Sequence, residues 1–307
     1  MSDHPGNKVF FKSNGFVNSK KNQTRFLARI VEFIIRAQRD PMLLIGLFAL
    51  FTLVIMAIFA PLLAPIPPNS IDYLALLKPP SSEHVLGTDD LGRDVFSRLL
   101  FGARLSLAVG FSAVIISVAV GVPIGLVAGY MGGMIDEVIM RILDSIIALP
   151  PLVLALTISA VLGAGLVNAT IAIAIVAVPT YARLIRGQVL SIKENDYVQA
   201  ARSIGLSQSE ILFRHILPNT ISPIIVQASL GVGFAIILES SLSFIGLGAK
   251  PPASTWGSMV QIGFQYLDIA PWFVIAPATA IFVAVLGANL VGEGLRNLFG
   301  SHQNERR

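Results

Sequence analysis

The chain has no cysteine among its 307 residues, which removes disulfides, thiolate catalysis and cysteine-ligated metals together. Charge is nearly as scarce. Only 13% of residues are Asp, Glu, Lys or Arg, against roughly 25% in soluble domains. Hydrophobic residues make up 54%. So few charges cannot cover a soluble fold of this length, and the composition is that of a polytopic membrane protein. There is no G-x-x-x-x-G-K-[ST] run and no Gly-Lys pair. Nothing here cradles nucleotide phosphates, so any ATP-derived energy must enter through another chain. The four histidines, His4, His84, His215 and His302, all fall in expected tails or loops. That leaves no His–Ser couple inside a span for an intramembrane hydrolase. No secretory signal peptide is expected, because the first long apolar run begins near Met42, behind polar and basic residues. No cofactor, metal site or nucleic-acid partner is expected.

What the chain does have is long apolar runs. Met42–Ala64 is uncharged over 23 residues, enough for about 30 Å of hydrocarbon. Leu105–Ile135 is a second run. Ser145–Ala182 carries no charge over 38 residues, too long for one helix, and Gly163-Ala164-Gly165 is the expected break. Spans are therefore placed at 42–64, 105–135, 136–162, 166–188, 218–245 and 271–296, giving an all-α membrane protein of six transmembrane helices. With the N-terminus in the cytoplasm, the inside segments hold 17 of the 22 basic residues, so both termini are assigned to the cytoplasm. Arg25, Arg29, Glu32, Arg36 and Arg39 step along one helical face. This stretch, 25–39, reads either as an amphipathic helix on anionic lipid headgroups or as an extension of the first span.

Two further patterns concern the helices themselves. Gly121, Gly125 and Gly129 form a double G-x-x-x-G stripe, suited to close packing within the chain or between subunits. Pro123, Pro150, Pro151 and Pro179 are expected to break or kink the spans. Charges in the spans are few. Glu239 is a carboxylate inside the fifth, and it either borders a pathway or outer gate or is held by nearby hydroxyls. Arg141 with Asp144, and Glu293 with Arg296, are spaced to pair along a helix.

Between the fourth and fifth spans lies a polar loop with helical patterning, Gln199 to Asn219. Asn195 or Asp196 can cap a first helix with an apolar face of Tyr197, Val198, Ala201 and Ile204. Gly205 stands where a helix ends in a left-handed residue. Ser207 to Glu210 has the form of a capping box opening a second helix with Ile211, Leu212 and Ile216, and Pro218 closes the unit. An organised pair of helices in a membrane loop is either a docking site or a hairpin packed on its own bundle. The loop between the first two spans contains His84 and the run Gly87-Thr88-Asp89-Asp90-Leu91-Gly92-Arg93-Asp94. Asp94, Arg98 and their apolar neighbours suggest a short interfacial helix ahead of the second span. The aspartates lack calcium-loop spacing.

The spacing Ala200-Ala201, Gly205, Leu217-Pro218 resembles the EAA loop of ABC-importer permeases. Gln199 replaces the expected Glu, and His215 an aliphatic residue. The segment LGTDDLGRDVFSRLLFGARLSL is similar to the dipeptide/oligopeptide/nickel branch of that family, in its C-type permease subunit. So are Ala128 to Gly133, Gly246 to Gly257 and Asn289 to Arg296. The resemblance runs from about residue 40 to 298. It implies a type I permease fold: a cytoplasmic N-terminal segment (1–40), a first helix (41–64), a periplasmic loop (65–103), a core (104–298) with coupling loop 195–218, and a cytoplasmic tail (299–307). It implies a multi-pass protein of the bacterial inner membrane that is not itself an enzyme. The implied partners are a second homologous permease, two ATP-binding subunits and a solute-binding protein, and the implied cargo is short peptides, with nickel chelates or another small solute as the alternative. In that scheme Ala200, Ala201 and Gly205 give close helix approach, Leu206, Ile211 and Leu217 seat or brace the docking helix, and Gln199 and Pro218 complete the ATPase-docking loop. Gly87, Thr88, Asp89, Gly92, Arg93, Asp94 and Arg98 are its outer signature. An ion-coupled carrier is the competing class, for which Glu239 is the main support. Uptake that survives ATP depletion but collapses with the proton gradient separates the two.

Overall fold

The computed structural model describes residues 37–304, and among these the regular secondary structure is helical. The amphipathic pattern at 25–39 falls mostly outside the described residues. Helix α1 (Pro41–Ile58) opens with Asp40 accepting from the Leu43 amide at 3.0 Å and with proline in its first turn. Proline costs nothing there, because that N–H has no helical partner. A short turn, α2 (Ala60–Leu63), follows. Beyond a long irregular loop come α3 (Val95–Met131), α4 (Gly133–Ile147), α5 (Pro151–Leu162) and α6 (Leu166–Ile192). Then come α7 (Asp196–Ser203), the rod α8 (Gln208–Phe244), α9 (Trp256–Phe264) and α10 (Trp272–Asn304).

Five helices are long and apolar enough to cross a membrane: α1, α3, α6, α8 and α10. The expected third span is not one straight helix. α4 and α5 meet at 89°, because Pro150 and Pro151 stand together. A residue before proline is forced out of the helical region, and Pro150 takes an extended conformation at φ −54°, ψ 131°. Pro123 and Pro179, by contrast, lie inside continuous helices. The break at Gly163–Gly165 falls where the sequence puts it.

Three other expectations change. The interfacial helix at Asp94–Leu100 is the first two turns of α3 itself, capped by Asp94, which accepts from the Ser97 amide at 2.7 Å. At 37 residues, α3 is about 55 Å long, so it projects well beyond a 30 Å hydrocarbon layer. The second loop helix and the fifth span form one rod, α8, which passes through Pro218 without a break. A π turn at Ile211–Ile216 precedes that proline, and Leu217 bonds back to Leu212, five residues away. The wider turn makes room for the ring. At the other end, α10 continues to Asn304, into the segment expected to be a tail.

The core is built on α3 against α6, with α8 packed on both and α10 between α8 and α1. In lipid the hydrophobic effect does not hold helices together, so close packing must. The glycine stripe serves that packing within the chain. A Cβ on Gly125 would lie 2.3 Å from the Ala182 carbonyl, and one on Gly121 2.8 Å from that of Val178. We expect Gly125→Val to force α3 off α6, at a cost of about 1–3 kcal/mol or more, and to lower the melting temperature of the detergent-solubilised protein. Gly187→Ala, on the same α6 but facing open space, should leave that temperature unchanged or raise it slightly.

Candidate functional site

Residues 195–219 form the organised module at one end of the bundle. Val198 and Ala201 of α7, with Ile211 and Ile216 of α8, are buried against Val122 and Leu126 of α3 and Ile185, Val189 and Ile192 of α6. Leu206, Leu212 and Leu217 are half-buried on the same cluster, so Leu206, Ile211 and Leu217 brace the module from inside. Tyr197 and Ile204 do not share that buried face, contrary to the helical pattern. Tyr197 is 44% exposed and Ile204 78%, and Phe213 is 65% exposed. An eight-residue helix buries a narrow stripe, and here Val198 and Ala201 fill it. The outer rim of the module therefore presents aromatic and aliphatic side chains beside exposed Gln199, Ala200 and Pro218.

The junction between α7 and α8 is a Schellman turn. Leu206 N–H donates to the Ala201 carbonyl at 3.2 Å and Gly205 N–H to that of Arg202 at 3.1 Å, with Gly205 at φ +83°. A Cβ at Gly205 would meet nothing within 4 Å. Within this chain the glycine supplies a left-handed backbone and no close helix approach; Ala200 is exposed as well, and only Ala201 packs inward. The capping box is half formed. Ser207 accepts from the Glu210 amide at 3.3 Å, but the Glu210 carboxylate turns to Arg214 at 3.2 Å. Asn195 holds the N-cap of α7 through its backbone alone. His215, a departure from the family pattern, sits 6.4 Å from the Tyr197 ring. Asn219 reaches both, donating to the Tyr197 hydroxyl at 3.3 Å and the His215 carbonyl at 2.7 Å.

The signature of the 65–94 loop is a buried knot. Asp89 is fully buried and accepts from the amides of Leu91 and Arg93, both at 2.9 Å, and from Arg93 Nε at 2.6 Å. Arg98 Nε lies 3.3 Å from the same carboxylate, while its Nη1 donates to Pro68 O and Asn69 Oδ1. Asp94 meets His84 Nδ1 at 3.0 Å, a partnership the sequence did not disclose. Thr88 is fully buried, accepts from the Lys78 amide at 2.8 Å and bonds to the Ala75 carbonyl. Its own carbonyl takes the Trp272 indole N–H at 3.3 Å. Gly92 has φ +73°, and a Cβ there would lie 1.9 Å from Asp72 O. Gly87 is equally hemmed in by Lys78 O and the Trp272 ring. Burial and the neighbouring Asp89 carboxylate push the Asp90 carboxyl above its ordinary range, against the pull of Arg93. The knot joins loop, α3 and α10.

Glu239 is fully buried and held by hydroxyls. Ser243 Oγ donates to it at 2.7 Å and Ser106 Oγ at 3.3 Å. Thr255 in turn bonds to Ser243 at 3.2 Å, and the Trp256 amide to Ser106 at 3.1 Å. The carboxylate thus ties α3, α8 and α9 together, and it does not border the midplane cavity. Of the two readings of this residue, the geometry fits the hydroxyl-held one.

Pairing within α4 differs from its spacing. Arg141 meets Glu137 at 3.2 Å, and Asp144 pairs across to Arg183 on α6. Asp136 is gripped by both Nε and Nη2 of Arg186 at 2.6 Å. Partners 39 and 50 residues apart leave no local trace in the sequence. Glu293 and Arg296 pair as their spacing suggests.

Known proteins resemble this chain closely. Residues 121–303 match the family described as "Binding-protein-dependent transport system inner membrane component", and residues 30–80 that described as "N-terminal TM domain of oligopeptide transport permease C". The dipeptide transport system permease protein of Alkalihalophilus pseudofirmus is 45% identical over 85% of this chain and 86% of its own length. The glutathione transport system permease protein of Escherichia coli O6:K15:H31 is 47% identical, covering 87% and 88%. The probable D,D-dipeptide transport system permease protein of Escherichia coli K12 is 42% identical, covering 91% and 93%. Among solved structures, a chain of the inward-facing MetNI methionine ABC transporter superposes with a TM-score of 0.55 at 19% identity, over 66% of this chain and 97% of its own. That likeness concerns the fold, and the sequence relationships carry the rest: this chain belongs to the family of inner-membrane components of binding-protein-dependent transport systems.

Proposed function

We propose that this chain is one of two permease subunits of an ABC importer for short peptides, turning no substrate over itself. The observation that carries the reading is the 195–219 module. Its inner face is pinned by Val198, Ala201, Ile211 and Ile216, while Tyr197, Ile204 and Phe213 stand outward at one end of the bundle. The excess of Lys and Arg on that side assigns this end to the cytoplasm, where an ATP-binding subunit can reach it. Exposed apolar side chains on a rigid base suit a helix seated in a partner's cleft. ATP binding in two such partners draws the modules together and alternates access to the path between the permeases. The relatives named for dipeptides and for glutathione, a tripeptide, support a peptide cargo.

The test is mass spectrometry of what this chain captures when tagged and gently crosslinked in its own membrane. The expected set is two related ATP-binding proteins, a second permease and a solute-binding protein. An otherwise intact complex without any ATP-binding protein would refute the docking reading and move an ion-coupled carrier to first place.

A further inference from the structure

Midway through the bundle, three polar side chains have no hydrogen-bond partner among the described residues: Thr180 and Tyr181 on α6, and Gln227 on α8. They border an open-sided cavity of about 360 Å³ between α3, α6, α8 and the α4–α5 break, whose remaining walls are apolar, among them Val114, Ile173 and Phe234. Of the three, Gln227 is half-buried and Thr180 stands exposed at the open side of the cavity, while Tyr181 is only 1% exposed. An unpartnered hydroxyl at that depth is costly in a membrane core unless something else bonds to it. Gln227 also borders a second cavity of about 510 Å³, lined by Pro218, Asn219, Ser222 and Arg296, that leads toward the coupling-loop end. The two cavities share this one side chain, so they follow one another along the same face of α8.

The chemistry narrows the occupant. No charged residue borders the midplane cavity, so it has nothing to pair with an isolated ion. The glutamine amide offers one acceptor and two donors, and each hydroxyl offers both roles. That set matches the C=O and N–H of a peptide unit, while the apolar walls accept side chains of varied shape. The volume falls within the range of about 300–1,000 Å³ typical of small-ligand sites.

We infer that Thr180, Tyr181 and Gln227 form a cargo station in this chain, which holds the peptide unit of the passing substrate between the outer opening and the cytoplasmic cavity. The inference rests on the peptide-importer reading.

The test uses the whole importer with its binding protein and ATP-binding subunits in proteoliposomes, and radiolabelled dialanine as probe. Tyr181→Phe removes one hydroxyl and Gln227→Leu one amide, with little change in volume. Each is expected to lower uptake by roughly three- to tenfold, the worth of one hydrogen bond, at unchanged abundance in the membrane. Because the chain has no cysteine, Thr180→Cys gives this subunit a single reactive thiol at the station. Dialanine during turnover should slow its labelling by a similar factor, but should not slow labelling of a cysteine placed at Phe48, on the exposed face of α1. Wild-type uptake in both Tyr181→Phe and Gln227→Leu overturns the station, and so does a Thr180→Cys labelling rate indifferent to dialanine. Absence of ATP-dependent dialanine uptake by the wild-type importer instead refutes the peptide reading, and the station with it.

Discussion

Gly205→Arg abolishes ATP-driven uptake while leaving the chain folded in the membrane. The strain is modest: a side chain at φ +83° costs about 1–2 kcal/mol, against a total stability of roughly 5–15 kcal/mol. Among the described residues, nothing beyond its chain neighbours lies within 4 Å of the new Cβ, so the bundle is not disrupted. The long cation instead projects from the exposed junction beside Ile204, on the rim assigned to the ATP-binding partner. There it carries a charge and extra bulk into the apolar contact proposed for the partner, and either effect uncouples the two surfaces. Gly205→Ala imposes the same backbone strain without the reach, and we expect it to retain most of the uptake. The check is uptake by intact cells or by proteoliposomes of the reconstituted importer, with chain abundance measured in the same samples. Wild-type transport by the arginine variant would sink the docking assignment.

Asp89→Ala acts at the opposite end and by the opposite route: the fold fails before function is reached. The carboxylate is the shared counter-charge of Arg93 and Arg98, and all three are buried. Removing it leaves two backbone amides unbonded and takes the buried counter-charge from two guanidinium groups, Arg93 keeping only the longer contact to Asp90 and Arg98 only neutral acceptors, at about 3–5 kcal/mol for the broken buried pair. That is comparable with the whole stability of many proteins. The expected result is near-complete loss of the chain from the membrane fraction, and a lower melting temperature for whatever survives solubilisation. Asp89→Asn keeps one acceptor and should fall between alanine and wild type. Asp90→Asn, next door but partly exposed and paired only at 3.4 Å, should change stability by no more than about 0.5 kcal/mol. Normal abundance of Asp89→Ala would show that the knot is not what holds the 65–94 loop to the bundle.

These two expectations differ in how far they could be read without coordinates. Gly205 was legible because its signal is local: a left-handed residue after a short helix, followed by a serine start, is written within ten residues. Asp89 was legible as part of a motif, but its role was not. Nothing in the spacing of Asp89, Arg93 and Arg98 says that all three are buried, or that Trp272 of a distant helix donates to the carbonyl of Thr88. Conversely, local pattern misled where tertiary contacts compete with it. Arg141 and Asp144 have ideal helical spacing, yet Asp144 pairs with Arg183 because α6 lies alongside. Ile204 looked like a core residue, yet α7 is too short to bury it.

By itself the sequence determined the solvent, the helical class and the turn that closes the first loop helix at Gly205. Each of these rests on composition summed over tens of residues or on a short-range turn code, and neither needs a neighbour. Only the tertiary structure decided that α4 and α5 meet at 89°, that Glu239 is satisfied by hydroxyls, and that Thr180, Tyr181 and Gln227 meet around one cavity. Those outcomes depend on which residues from separate helices come within about 3–4 Å of one another. In a bundle held by close packing, that is set by the fit of whole helix faces and is not encoded in any one stretch of chain.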